Sequence, residues 1–139
     1  MKLGLDLHGV CDKEPRTFSV LTELLVRSGH EVHILTGEED TPLLRSKLKL
    51  LRIHYTHLFS ISSYHKGLGT EMWKDKDNGP WMDHEIWNVT KAWYCNKNKI
   101  DLHIDDSEIY GEHFKTPYLF FTHKGAKNDF DQVRSNSTS

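Results

Sequence analysis

The stretch Lys2-Leu3-Gly4-Leu5-Asp6-Leu7-His8-Gly9-Val10 decides how this chain is read. A short apolar run rises into an aspartate, and a glycine turn follows at once. In an α/β protein that order puts one carboxylate at the C-terminal end of a central strand, where open sheets bind ligands. A related pattern stands far downstream, where Ile100-Asp101-Leu102-His103-Ile104 runs into Asp105-Asp106 and then Ser107. Two strands that each deliver acid at their tips can jointly hold a hard divalent cation such as Mg²⁺, which takes carboxylate and carbonyl oxygens.

Outward from these strands the chain alternates. Pro15 suits the first turn of a helix to about Arg27, with Phe18, Leu21, Leu24 and Leu25 as its apolar stripe. Ser28-Gly29 stops it, and Glu31 to Leu35 form a second strand ending at Thr36-Gly37. Thr41-Pro42 caps a second helix with Leu44, Leu48 and Leu51 on one face and Arg45, Lys49 and Arg52 on another. Tyr55 to Ile61 read as a third strand. Residues 62–82, with their glycines, Pro80, Trp73 and Trp81, show no clear period and read as an irregular segment. A helix over Asp83 to Cys95, the Asp105-Asp106 strand and a last strand from Tyr118 to Thr122 complete the pattern. Strands alternating with helices predict a parallel sheet flanked by helices.

The chain has 139 residues, a net charge of −2, 37% apolar and 27% charged residues. That fits one domain, placed at residues 1–134, with a disordered tail over 135–139. No bulk charge points to nucleic acid or membrane. Two cysteines, Cys11 and Cys95, make no disulfide framework. The N-terminal run is cut short by Asp6, unlike a signal peptide, and no run approaches the roughly 18 to 20 apolar residues of a membrane span. A cytoplasmic location is the expectation. Ten histidines are present, but no pair of them stands in a zinc spacing with cysteines. A dedicated zinc site is therefore not expected.

Three predicted strand ends carry polar groups: Asp6, Thr36 and Asp105-Asp106. In a parallel sheet they open on one edge, and Lys91, on the helix before the acidic pair, can reach them. A carboxylate nucleophile, a hydroxyl, an ammonium and a metal site together are equipment for phosphoryl transfer. At this point the chain resembles the haloacid dehalogenase-like (HAD) superfamily of phosphohydrolases. Asp6-Leu7-His8-Gly9-Val10 resembles the first motif, Ile34-Leu35-Thr36-Gly37 the second, Lys91 the third and Ile104-Asp105-Asp106-Ser107 the fourth. The resemblance spans residues 2 to about 122 and rests on the order of the four motifs, each weak alone.

The resemblance implies a Rossmann-like three-layer sandwich with a mostly parallel five-stranded sheet in the order 5-4-1-2-3. It implies Asp6 as the nucleophile, Thr36 as a hydrogen-bond donor to the phosphoryl group and Lys91 as its charge partner, with Lys66, Lys74 and Lys76 as rivals for that role. Mg²⁺ would be held by Asp6, the backbone carbonyl of His8, Asp105 and Asp106. The chain departs from the family at His8, where an acid–base aspartate is usual. One reading gives imidazole the same proton transfers. The other leaves a catalytically weak or inactive binding module.

No cap domain fits between the motifs. In this family an open site goes with macromolecular substrates or with a homo-oligomer that covers it. Gly37, Lys66, Trp73 and Lys74 are the expected substrate-binding residues, and Trp81 and Trp87 can stack on a base or sit in the core. The substrate class is a phosphorylated small molecule or a nucleic-acid 3′ end. The Arg45, Lys49 and Arg52 face reads as solvated.

Overall fold

The computed structural model describes residues 1–75 and 79–122, with the backbone alone for 73–75 and 79–81. Its centre is a five-stranded sheet in which every pairing is parallel. β1 (Lys2–Asp6) runs into a wide turn over Leu7–Cys11, and α1 (Pro15–Arg27) returns to β2 (Glu31–Thr36). α2 (Pro42–Leu50) leads to β3 (His57–Ser60), and α3 (Ile61–Leu68) follows it directly. A separate antiparallel hairpin, β4 (Trp73–Asp75) with β5 (Gly79–Trp81), precedes α4 (His84–Lys97). β6 (Leu102–Asp105), the single-turn α5 (Glu108–Gly111) and β7 (Tyr118–Phe120) close the described chain.

The strands lie in the order β3-β2-β1-β6-β7, the order expected from the motifs. β1 is central because it is nearly all buried, and in a parallel sheet only the middle strands can be apolar on both faces. Helices cover both faces. Leu3, Leu5, Val32 and Ile34 pack with Phe18 of α1 and Leu44 and Leu48 of α2, while Leu35 packs with Cys95 of α4 on the other side. Strand alternation sorts β2 between the layers: Val32 and Ile34 face α1 and α2, and His33 and Leu35 face α4.

Several local expectations are corrected. The third strand is shorter than residues 55–61, because the Thr56 hydroxyl is spent on the Val32 backbone and Ile61 already begins α3. Part of the segment read as irregular is helical: Ser60 caps α3, and Gly69, at φ 72°, ends it. Leu24 is 58% exposed and leaves the α1 stripe, its place in the core taken by Thr22, whose hydroxyl donates to the Phe18 carbonyl at 2.6 Å. The tail at 135–139 lies outside the described residues. No described helix is long and apolar enough to cross a membrane.

Candidate active site

The C-terminal edge of the sheet gathers the groups on which the motif reading rests. Asp6 ends β1, Thr36 ends β2 and Asp105 ends β6, and all three are buried. Lys91 comes from the inward face of α4 and is also buried. Its ammonium donates to Asp6 Oδ1 and to Asp105 Oδ2, each at 2.9 Å. The ring of Tyr110 lies 5.1 Å from the same ammonium. Of the lysines that the sequence offered, Lys91 is therefore placed between the two acids. Lys66 instead meets Glu39 at 2.9 Å on the surface, 71% exposed. The Lys74 and Trp73 side chains and all of Lys76 lie outside what the structure describes.

His103 was not among the expected site residues. It lies two positions before Asp105 on β6, and strand period points both side chains the same way. Its Nε2 donates to Asp105 Oδ2 at 2.9 Å, and its Nδ1 is buried without a partner among the described residues. Gly4 makes room for this ring, since a Cβ there would stand 2.6 Å from Nδ1.

The two carboxylates that share Lys91 differ in environment. Burial would raise Asp105, but His103 and Lys91 outweigh it and hold Asp105 well below the usual carboxylate range. Among the described residues Asp6 has no second basic partner. Burial pushes it up to about 8, against the pull of Lys91 and with the help of Asp105. Burial alone would lower Lys91, but the two aspartates keep it above its ordinary value. Lys91 thus stands between two buried carboxylates of unlike acidity, Asp6 raised and Asp105 lowered, so that the buried charges offset one another.

Asp106 follows at the surface, and carboxylate oxygens of Asp6, Asp105 and Asp106 all lie within 4.8 Å of one another. An all-oxygen donor set of that span fits a hard divalent cation. The turn after β1 completes the edge: Gly9, at φ 86°, lies so close to Asp106 that a Cβ would stand 2.0 Å from its Oδ2.

His8 projects from this turn into a clamp of two acids. Its Nε2 lies 2.8 Å from Glu38 Oε2 and its Nδ1 3.2 Å from Asp12 Oδ2. Both contacts are satisfied together only when both ring nitrogens carry protons. Asp12 is itself fixed by the Gly9 amide at 2.7 Å. Neither Glu38 nor Asp12 was singled out from sequence. The Thr36 hydroxyl accepts the Glu38 amide at 3.1 Å, which leaves its proton to donate elsewhere.

The turn after Thr36 is braced from the β3–α3 junction. Ser60 Oγ donates to the Glu38 carbonyl, Ser62 Oγ to the Gly37 carbonyl, and Ser63 Oγ accepts the Asp40 amide. Gly37 also lets Trp87 close over this strand end, since a Cβ would stand 2.5 Å from the indole. Trp87 is half-buried and donates to the Tyr110 hydroxyl at 2.7 Å. Cys11 is fully buried and burial pushes its thiol up, so it is not a reactive group at the mouth. Arg45, Lys49 and Arg52 line an open groove of about 960 Å³ between α1 and α2, which none of the site residues reaches.

Comparison with known proteins found no matching family model, no matching curated protein and no matching solved structure.

Proposed function

We propose that this protein is a Mg²⁺-dependent phosphatase of the HAD type, acting on a phosphomonoester through an aspartyl-phosphate on Asp6. The observation that carries the reading is the buried Lys91 ammonium bridging Asp6 and Asp105 at the sheet edge. Asp6, Asp105, Asp106 and the His8 carbonyl would hold the metal, which supplies neutralisation of the phosphoryl oxygens and of the nearby carboxylates. Metal sites of this kind need ionised ligands, so Asp6 would have to be ionised to hold the ion.

The chain's own groups then divide the work. An Asp6 oxygen attacks phosphorus, forming the O–P bond as the bond to the leaving oxygen breaks. Lys91 and the Thr36 hydroxyl meet the charge on the transferring group. His8 donates a proton to the leaving oxygen and takes one back from the water that attacks the aspartyl-phosphate. That water displaces the Asp6 carboxylate and releases phosphate. Trp87 over Gly37 gives the edge an aromatic wall, which suits a nucleotide or a nucleic-acid 3′ end as the substrate class. A homo-oligomer covering the open edge and a cytoplasmic location belong to the same proposal.

A second reading draws on the same clamp. Glu38 and Asp12 can hold His8 too firmly for proton exchange, leaving a domain that binds a cation and phosphate with little turnover. Hydrolysis of an aryl phosphate, a nucleoside 3′-phosphate and a 3′-phosphorylated oligonucleotide, with and without Mg²⁺, separates the two. The phosphatase predicts Mg²⁺-dependent turnover that vanishes in Asp6→Asn. Turnover that survives Asp6→Asn, or none on any of the three, overturns it. His8→Asp then raises activity if the clamp is a handicap and lowers it if the site is built for imidazole.

A further inference from the structure

At the opposite edge of the sheet a second group of side chains converges, unrelated to the first. Glu31 opens β2, and His33, two residues on, shares its face of the sheet. His57 opens β3 and stands directly opposite His33 in the parallel register. Ligand atoms of the three all lie within 4.8 Å of one another. One carboxylate oxygen, Glu31 Oε1, is 3.1 Å from His33 Nε2 and 3.6 Å from His57 Nδ1. A single acid thus meets two imidazoles.

The deeper imidazole is held in one orientation. The His33 side chain is 3% exposed, and its Nδ1 stands 2.7 Å from the Tyr94 hydroxyl on α4. This leaves Nε2 aimed at Glu31. Metal-binding histidines are fixed in this manner, with the second ring nitrogen taken by a neighbouring polar group. The His57 ring stacks on His33 with centroids 4.1 Å apart and planes 5° apart.

We propose that Glu31, His33 and His57 form a binding site for a divalent transition-metal ion of the Zn²⁺ class, which clamps the start of β2 to the start of β3. Two imidazole nitrogens and one carboxylate oxygen suit Zn²⁺ and its neighbours, whereas Mg²⁺ favours the all-oxygen set at the other edge. Water completes the coordination on the open side. Stacked rings send their in-plane lone pairs along parallel lines, so one ring must turn for both to reach one ion. That ring is His57, whose side chain is 48% exposed, while His33 stays with Tyr94. Two contacts compete with the ion: Thr56 Oγ1, 2.8 Å from His57 Nδ1, and the Lys2 ammonium, 3.6 Å from Glu31 Oε2. Both Lys2 and His57 are exposed enough to swing.

The site is independent of the phosphatase reading and is tested without activity. The full chain is titrated with Co²⁺ in excess Mg²⁺, nitrogen ligation is followed in the visible absorption, and Zn²⁺ is then added. The expected result is one equivalent of Co²⁺ bound despite Mg²⁺ and displaced by Zn²⁺. His57→Ala, at an exposed position, and Glu31→Gln, at a half-buried one, each weaken binding tenfold or more. Tyr94→Phe weakens it by about 10- to 100-fold, the cost of losing such an outer partner. His54→Ala, at an exposed histidine outside the cluster, changes nothing. Absence of Co²⁺ binding overturns the proposal, as does equal binding by wild type and His57→Ala. Loss of binding in Asp105→Asn with retention in His57→Ala assigns the ion to the acidic edge and overturns it too.

Discussion

The two edges of the sheet handle charge in opposite ways. At the C-terminal edge Asp6, Lys91 and Asp105 are all shut away from water, and each must be neutralised by the others. At the N-terminal edge Glu31 and His57 stay in contact with solvent and only His33 is buried. Burial strengthens every interaction at the first edge and makes every unpaired charge there expensive. Water screens the second, so its groups can rearrange at little cost. A preorganised reaction site needs the first condition, and an adaptable ligand site tolerates the second.

The sharpest way to break this comparison is to remove the shared ammonium. Lys91→Met leaves Asp105 charged and buried without its main cation, and removing one partner of a buried pair costs about 3–5 kcal/mol. Urea denaturation measures it. Lys2→Met, which removes the ammonium beside Glu31 at the other edge, should stay within the scatter of surface substitutions. Equal losses would mean that the two edges do not differ as described.

Two glycines test the same contrast through the backbone. Gly9 and Gly29 share a left-handed backbone, at φ 86° and 83°, but only Gly9 has a neighbour where a side chain would go. Gly29→Ala pays the backbone term alone, about 1–2 kcal/mol. Gly9→Ala carries the same strain and must also push Asp106 aside, so it should be the more destabilising of the two. It should also weaken Mg²⁺ binding, measured by calorimetry, which Gly29→Ala leaves intact.

The two edges were also unequally legible. Asp6, Thr36 and Asp105 were visible because each ends an apolar run, and a parallel sheet sends all such ends to one edge. His103 was within reach, since period-2 spacing from Asp105 puts it on the same face. The clamp on His8 was not, because Asp12 and Glu38 meet it through turns whose path no periodicity specifies. Nor was α3, where Ser60 and Gly69 are the only boundary signals around a short helix. The Glu31, His33 and His57 group depends on the β2–β3 register, and the sequence spacing that argued against zinc cannot see across strands. The polar strand ends that follow one another along the chain, Asp6, then Thr36, then Asp105, are brought to one edge by the sheet, where β1 lies between β2 and β6.

The pH dependence of stability singles out Asp6 at the C-terminal edge. A raised carboxylate stabilises fully below its unfolded value and loses that contribution as pH climbs through the folded one. For Asp6 the window runs from 3.8 to about 8. His103 is lowered, chiefly by burial, so its contribution is lost as pH falls below 6.5 and is constant above. Between pH 6.5 and 8, without metal, stability should therefore fall with rising pH by up to about 1.4 kcal/mol per unit. Thermal or urea melts of wild type should show that slope, and Asp6→Asn should be flat over the same window. Saturating Mg²⁺ should remove the slope in wild type by keeping Asp6 ionised. A slope that persists in Asp6→Asn would place the titrating group elsewhere.

The smallest expected effect is the most discriminating for the site itself. Lys66 and Lys91 were rivals for one role, and they now stand in opposite surroundings, one 71% exposed beside Glu39 and the other bridging two buried aspartates. Lys66→Ala should leave both stability and phosphate-ester hydrolysis unchanged, because an exposed pair is screened and gains little. A fall in kcat with KM preserved would mean that Lys66 leaves Glu39 and reaches the transferring group during turnover. A rise in KM alone would give it the binding role that the motif reading assigned, with the chemistry still on Lys91.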